Sequence, residues 1–139
     1  MDGPIPARFA PYLLSILRIV VAFLYVVHGT QKLFGFPAAM PARPTVALMS
    51  LYGAAGVIET VGGLLLLLGL FTRPVAFITS GEMAAAYFIS HAPNGFWPLL
   101  NRGEPAVLFC FVRLYIAAAG PGPWSLDALR GRWTRRLNL

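Results

Sequence analysis

Apolar residues run through this chain in four long blocks, at about residues 11–34, 45–70, 74–90 and 104–119. Each block is continuous rather than alternating, which argues for helices and against the strands of a small membrane barrel. The blocks are divided by helix-stopping signals: Gly35 and Pro37 after the first, the tight turn Phe71-Thr72-Arg73 after the second, and Gly120-Pro121-Gly122-Pro123 after the fourth. A helix needs about 20 residues to cross a bilayer, so the first two blocks are long enough and the last two must extend at their ends. The last fifteen residues follow a different pattern. Leu126, Leu129, Trp133 and Leu137 fall on one helical face, with Arg132, Arg135 and Arg136 among them and Ser125 placed as an N-cap. The expected fold is all-α: a four-helix transmembrane bundle, forming a single domain over residues 1–139, with a C-terminal interfacial amphipathic helix at residues 125–139.

Polar positions inside the blocks change this picture. Each block carries one deeply placed ionisable residue: Arg18, Glu59, Glu82 and Arg113. A charge at mid-membrane costs roughly 3 kcal/mol or more. Two of each sign therefore imply a polar interior in which Arg and Glu neutralise one another, as two buried ion pairs whose partners stay open. On the first helix Arg18, Tyr25 and Lys32 recur every seven residues, with Ala22 and Gly29 between them and His28 four before Lys32. This stripe is expected to face the bundle, with Lys32 either joining it or snorkelling to the interface. On the second helix Tyr52, Gly56, Gly63 and Leu66 share the face of Glu59, and the glycines permit close helix approach.

Composition agrees. Only 12% of the 139 residues are charged and mean hydropathy is +0.69, against about 25% charged in a soluble domain. The net charge of +6 does not indicate nucleic acid, because the basic residues stand at block ends and in the tail. By the positive-inside rule, Arg8, Arg73, Arg130, Arg132, Arg135 and Arg136 outweigh Lys32, Arg43 and Arg102, and so place both termini in the cytoplasm. Phe96, Trp97 and Pro98 then lie in an outer loop, as an aromatic belt or a short re-entrant cap. The first block contains Arg18 and lacks a clear cleavage site, so it is not read as a signal peptide. Cys110 stands alone, which leaves no disulfide and no metal-ligating cluster to propose.

Candidate ligand chemistry gathers at the outer side: His28, Gln31, Lys32, His91, Asn94, Asn101 and Arg102. A quinone headgroup needs donors to its carbonyl oxygens and an apolar slot for its tail, and these residues offer the donors. The two histidines are a poorer match for haem ligation, since His91 stands at a loop boundary beside Pro93.

These elements resemble the DoxX family of small bacterial membrane proteins. The likeness rests on His28-Gly29-Thr30-Gln31-Lys32-Leu33-Phe34-Gly35, on Glu59-Thr60-Val61-Gly62-Gly63 with Gly69-Leu70-Phe71-Thr72-Arg73, on Glu82-Met83-Ala84-Ala85-Ala86-Tyr87-Phe88, and on the ending Gly120 to Asp127. It covers about residues 12–128. Pro123 departs from the family, where a basic residue is frequent, so an anion-binding role for that loop is not expected. The resemblance implies a four-helix fold in the bacterial inner membrane. It also implies a link to quinone or thiosulfate:quinone redox systems, with no catalytic residue assigned. The leading expectation is a membrane subunit that binds or services quinone beside a partner oxidoreductase. The alternatives are a non-enzymatic scaffold whose charges are structural and, last, a small transporter. Expected partners are the lipid bilayer, a redox subunit and a second copy of the chain.

Overall fold

The computed structural model describes residues 4–39 and 47–137, and among them every regular element is helical. α1 spans Ala10–Phe34, α2 Leu51–Leu68 and α3 Thr72–Ala86. The path of α3 continues through a π-helical turn, Tyr87–His91, and a 3₁₀ turn, Ala92–Asn94. A short α4, Pro98–Asn101, leads into α5, Glu104–Ala119, and the chain ends in α6, Leu126–Leu137. Thr45 and Arg43 lie outside the described residues, as do the side chains of Arg135, Arg136 and Leu137.

The fourth apolar block coincides with α5. The second does not coincide with its helix: α2 begins at Leu51 rather than near residue 45. Ser50 supplies the reason, because its Oγ accepts the N–H of Gly53 at 3.0 Å and caps the helix. At its other end α2 stops at Gly69, left-handed at φ 66°. A side chain there would meet Arg18 Nη1 at 2.9 Å, so both conformation and space require glycine.

Two helix pairs build the body: α1 packs along α2, and α3 along α5. Gly29 lets the first pair close, since a Cβ on it would lie 2.6 Å from the backbone nitrogen of Thr60. Gly63 does the same against Val26, where a Cβ would lie 2.6 Å from Cγ2. Two apolar clusters bridge the pairs: Ala22, Leu66, Ala76 and Ile116 nearer the termini, and Tyr25, Met83, Tyr87 and Ala106 nearer the far end.

The burial pattern is inverted relative to a soluble bundle. Arg18, Glu59, Thr72, Thr79, Ser15 and Arg113 are fully buried. Meanwhile Phe23, Phe77, Ile78, Phe88, Leu108 and Phe111 are each more than half exposed. In water such apolar faces would be costly; in lipid they are at home. Among the described residues two helices, Ala7–Phe34 and Leu51–Leu68, are long and apolar enough to cross a membrane.

Candidate functional site

The inward stripe of α1 is Ser15, Arg18, Val21, Ala22, Tyr25 and Gly29, all buried. It delivers its polar groups to two separate places. At the end that carries the termini, Arg18 reaches none of the glutamates. Its Nε donates to the Pro121 carbonyl at 2.9 Å, Nη1 to Leu67 O at 2.8 Å and also to Leu66 O, and Nη2 to Trp124 O at 2.5 Å. The expected Arg18–Glu pair is thereby corrected: the guanidinium plugs the negative C-terminal end of α2, beside the cap bond from Gly69 N to Leu66 O. Arg73 does the same for α5, donating to Ala117 O and Ala118 O at 3.0 and 2.5 Å.

The ending that precedes α6 locks onto this end. Ser125 Oγ accepts from the Ala128 N–H at 3.1 Å, as an N-cap should. Ser15 Oγ accepts the N–H of Trp124 at 3.2 Å. Asp127 caps a different helix: its two oxygens accept the N–H groups of Phe71 and Thr72 at 3.0 and 2.8 Å, at the start of α3. Partial burial pushes the Asp127 carboxyl upward. The hydrogen bonds from Thr72 and Phe71 and the charge of Arg130 outweigh that and hold it below the ordinary aspartate range.

The second place lies toward the far end and gathers four charges around Tyr25. Lys32 turns inward and forms an ion pair, donating to Glu59 Oε1 at 2.6 Å. Its Nζ also lies 4.9 Å from the ring centre of Tyr52. The Tyr25 hydroxyl donates to Glu82 Oε2 at 2.7 Å. Arg113 from α5 stacks on the other side: its Cζ lies 3.4 Å from the Tyr25 ring centre and 4.9 Å from that of Phe109. Its Nη1 donates to the Thr79 carbonyl at 3.0 Å. Arg113 therefore meets a glutamate through the tyrosine, not directly, and the expected direct Arg–Glu pairing is corrected here too. The aromatic face stabilises the cation without the second desolvated carboxylate that a direct pair requires. Glu59 Oε2 and the Nε and Nη2 of Arg113 are buried without a protein hydrogen bond. Each such group costs about 1–3 kcal/mol, which makes the cluster an expensive feature of the fold.

Beside this cluster α2 and α3 part to leave a cavity of about 970 Å³. Lys32 and Glu82 line it, with Tyr52, Ala55 and Ile58 on the α2 side and Ala86 and Ile89 on the α3 side. Leu51 and Ile89 at its lips are largely exposed, so it is a groove open to the surroundings of the bundle. Its size matches that of small-molecule sites, about 300–1,000 Å³.

Of the ligand-binding candidates named from the sequence, Lys32 alone lines the groove. His28 Nδ1 lies 2.7 Å from the Leu24 carbonyl, and its ring meets Phe109 edge-on at 5.6 Å. Gln31 donates to Ala38 O at 3.1 Å. The others knit the far loop: His91 Nδ1 lies 3.1 Å from Asn101 O, and Asn94 donates to Ser90 O at 3.2 Å. Buried Asn101 donates to Gly95 O at 2.6 Å and accepts from Gly103 N at 2.8 Å. Tyr25 and Tyr52 are the groups sequence reasoning undervalued. Tyr25 stands seven residues from both Arg18 and Lys32, a spacing that marks its face but not its partners.

An all-helical bundle with a charged interior and an apolar exterior defines a helical membrane protein. The chain belongs to the DoxX family, whose model matches residues 13–92. An uncharacterised protein of Haemophilus influenzae is 46% identical, covering 86% of this chain and 92% of that one. The inner membrane protein YphA of Escherichia coli is 29% identical, covering 84% and 89%. The inner membrane protein YqjF of the same organism is 28% identical, covering 82% and 88%. No solved structure matches the chain.

Proposed function

We propose that this chain is a four-span subunit of the bacterial inner membrane that binds a quinone in the groove between α2 and α3 and serves a partner redox enzyme. The observation that carries the reading is the groove itself, an apolar slot with the side chains of Lys32 and Glu82 on its wall. The residues fit the group. Lys32 is a hydrogen-bond donor for a carbonyl oxygen, Tyr52 supplies an aromatic face, and the open lips admit an isoprenoid tail from lipid. Bound quinone would bring reversible redox chemistry; the chain contributes binding, orientation and a charged wall. Electrons must come from a partner, because the sequence has one cysteine and no nucleotide motif.

The apolar outer faces of α3 and α5 favour four spans rather than two. Both termini then share the cytoplasmic side, with α6 lying on the membrane surface. Leu129 and Trp133, both more than half exposed on α6, are its apolar contacts with lipid.

The test is saturable binding of a short-tailed benzoquinone to the purified chain in nanodiscs. Binding is expected, together with its loss when Ala55→Trp fills the groove. Absence of saturable binding contradicts the proposal. A scaffold role is the second reading, favoured by how completely Arg18, Arg73 and Asp127 are used in capping helices. It predicts that groove substitutions change abundance only when they also change stability.

A further inference from the structure

The end of the bundle that carries the termini is rich in arginine, and its arginines are used in different ways. Arg18 and Arg73 are spent on helix-end carbonyls. Arg8 and Arg132 are exposed. The Cζ of Arg8 lies 5.1 Å from the ring centre of Phe9, and that of Arg130 lies 5.0 Å from the ring centre of Phe71. α6 also carries Arg135 and Arg136. Among the described residues the one carboxylate at this end, Asp127, is spent on the start of α3. The end therefore keeps a surplus of positive charge. The far end differs, because Lys32 is paired with Glu59 and exposed Arg102 stands close in sequence to Glu104.

Two further observations say what meets that surplus. Exposed rings stand among the arginines: Phe9, Tyr12, Trp124 and Trp133, with the rings of Tyr12 and Trp124 5.7 Å apart. Amphipathic rings of this kind settle at the level of lipid headgroups. The start of α6 is also tied down. The Asp127 N–H donates to Gly69 O at 2.9 Å, and Arg18 holds the carbonyls of Pro121 and Trp124 just before the helix. From this we infer that α6 and the start of α1 form a docking surface for the headgroups of anionic phospholipids. The inference rests on α6 lying on the membrane surface, as proposed above, and is independent of what fills the groove. A guanidinium is charged at every physiological pH, and its forked N–H groups match a phosphodiester. Phosphatidylcholine carries the same phosphate but offsets it with its own ammonium, so charge separates the two lipids. Each arginine close to an anionic surface favours it by about fivefold in affinity.

The experiment titrates the full chain, in neutral detergent, with phosphatidylglycerol and with phosphatidylcholine of the same acyl chains, and counts bound lipid by native mass spectrometry. Phosphatidylglycerol is expected to bind about fivefold more tightly or better. The double variant Arg8→Gln, Arg132→Gln should bring the ratio close to one, whereas Arg8→Lys, Arg132→Lys keeps the charge and should keep the preference. Arg102→Gln, at the far end, should leave the ratio unchanged. Equal binding of the two lipids to the unaltered chain overturns the inference, as does a preference that survives the glutamine variant or is lost in Arg102→Gln. Displacement of the lipid by an equal concentration of soluble glycerol phosphate also overturns it, since the site would then recognise a free phosphate ester. Fluorescence of Trp133, in a chain whose other tryptophans are replaced by phenylalanine, tests the placement of α6 separately. Quenching by dibrominated phosphatidylcholine together with equal lipid binding overturns the headgroup inference alone; absence of quenching overturns the placement and the inference with it.

Discussion

Lys32 carries its charge on a stem long enough to reach the interface from the end of α1, yet it turns inward to Glu59. The glutamate explains this: at 1% exposure it would otherwise be a bare buried carboxylate. Lys32→Met should accordingly lower stability by about 3–5 kcal/mol, and the double change Lys32→Met, Glu59→Leu should recover much of that, measured by thermal unfolding in detergent. Equal losses in the single and double variants would count against the pairing. Asp127 gives a prediction in pH. Its folded carboxyl titrates below the ordinary aspartate range, so its contribution is fully present above about pH 4 and is lost as pH falls through the lower folded value. Acid titration of stability should show this loss in the unaltered chain and not in Asp127→Asn. The set of buried charges was legible in the sequence, because any ionisable residue within an apolar block stands out. Their partners were not. Arg18 is held by carbonyls at the end of another helix and in a loop more than a hundred positions away, and backbone acceptors leave no trace in residue identity.

At the level of elements, close helix approach depends on a few glycines. Gly29→Ala drives a methyl group into the backbone of Thr60, where no side chain can yield. It should cost about 1–3 kcal/mol, read as a lowered midpoint in thermal unfolding. Gly81, with open space around its Cβ position, should tolerate alanine without loss and serves as the control. Helix ends were readable where the chemistry is local. Gly120 closes α5 and Ser125 opens α6, as their residue types indicate. The start of α2 was not readable, because Ala47, Leu48 and Met49 continue the apolar run while Ser50 sets the cap. The π-helical turn at Tyr87–His91 has no sequence signature either. Tertiary bonds accompany it, with the Tyr87 hydroxyl donating to Phe96 O at 2.5 Å and the Asn101 amide donating to that hydroxyl at 3.3 Å.

The whole molecule divides its labour between two ends. One end is a clamp of Arg18, Arg73, Ser125 and Asp127 that fixes helix termini to one another; the other holds the charged cluster and the groove. Continuous apolar blocks made the helical build of the molecule legible from sequence. The groove was not, because it forms where α2 and α3 separate, and Glu82 and Lys32 come from helices that are not consecutive. Single cysteines placed near Arg8 and Arg132 should both react with a membrane-impermeant maleimide only after the cytoplasmic face is opened. Labelling of either one in intact cells would contradict the proposed topology. The most direct test of the central claim is photolabelling with an azidoquinone in native membranes, followed by peptide mapping. Adducts are expected only at Lys32 of α1, at residues 50–58 around the start of α2 and at residues 81–90 of the α3 path. Adducts concentrated in the far loop around Asn94 and Asn101, or spread evenly over the apolar exterior, would contradict it.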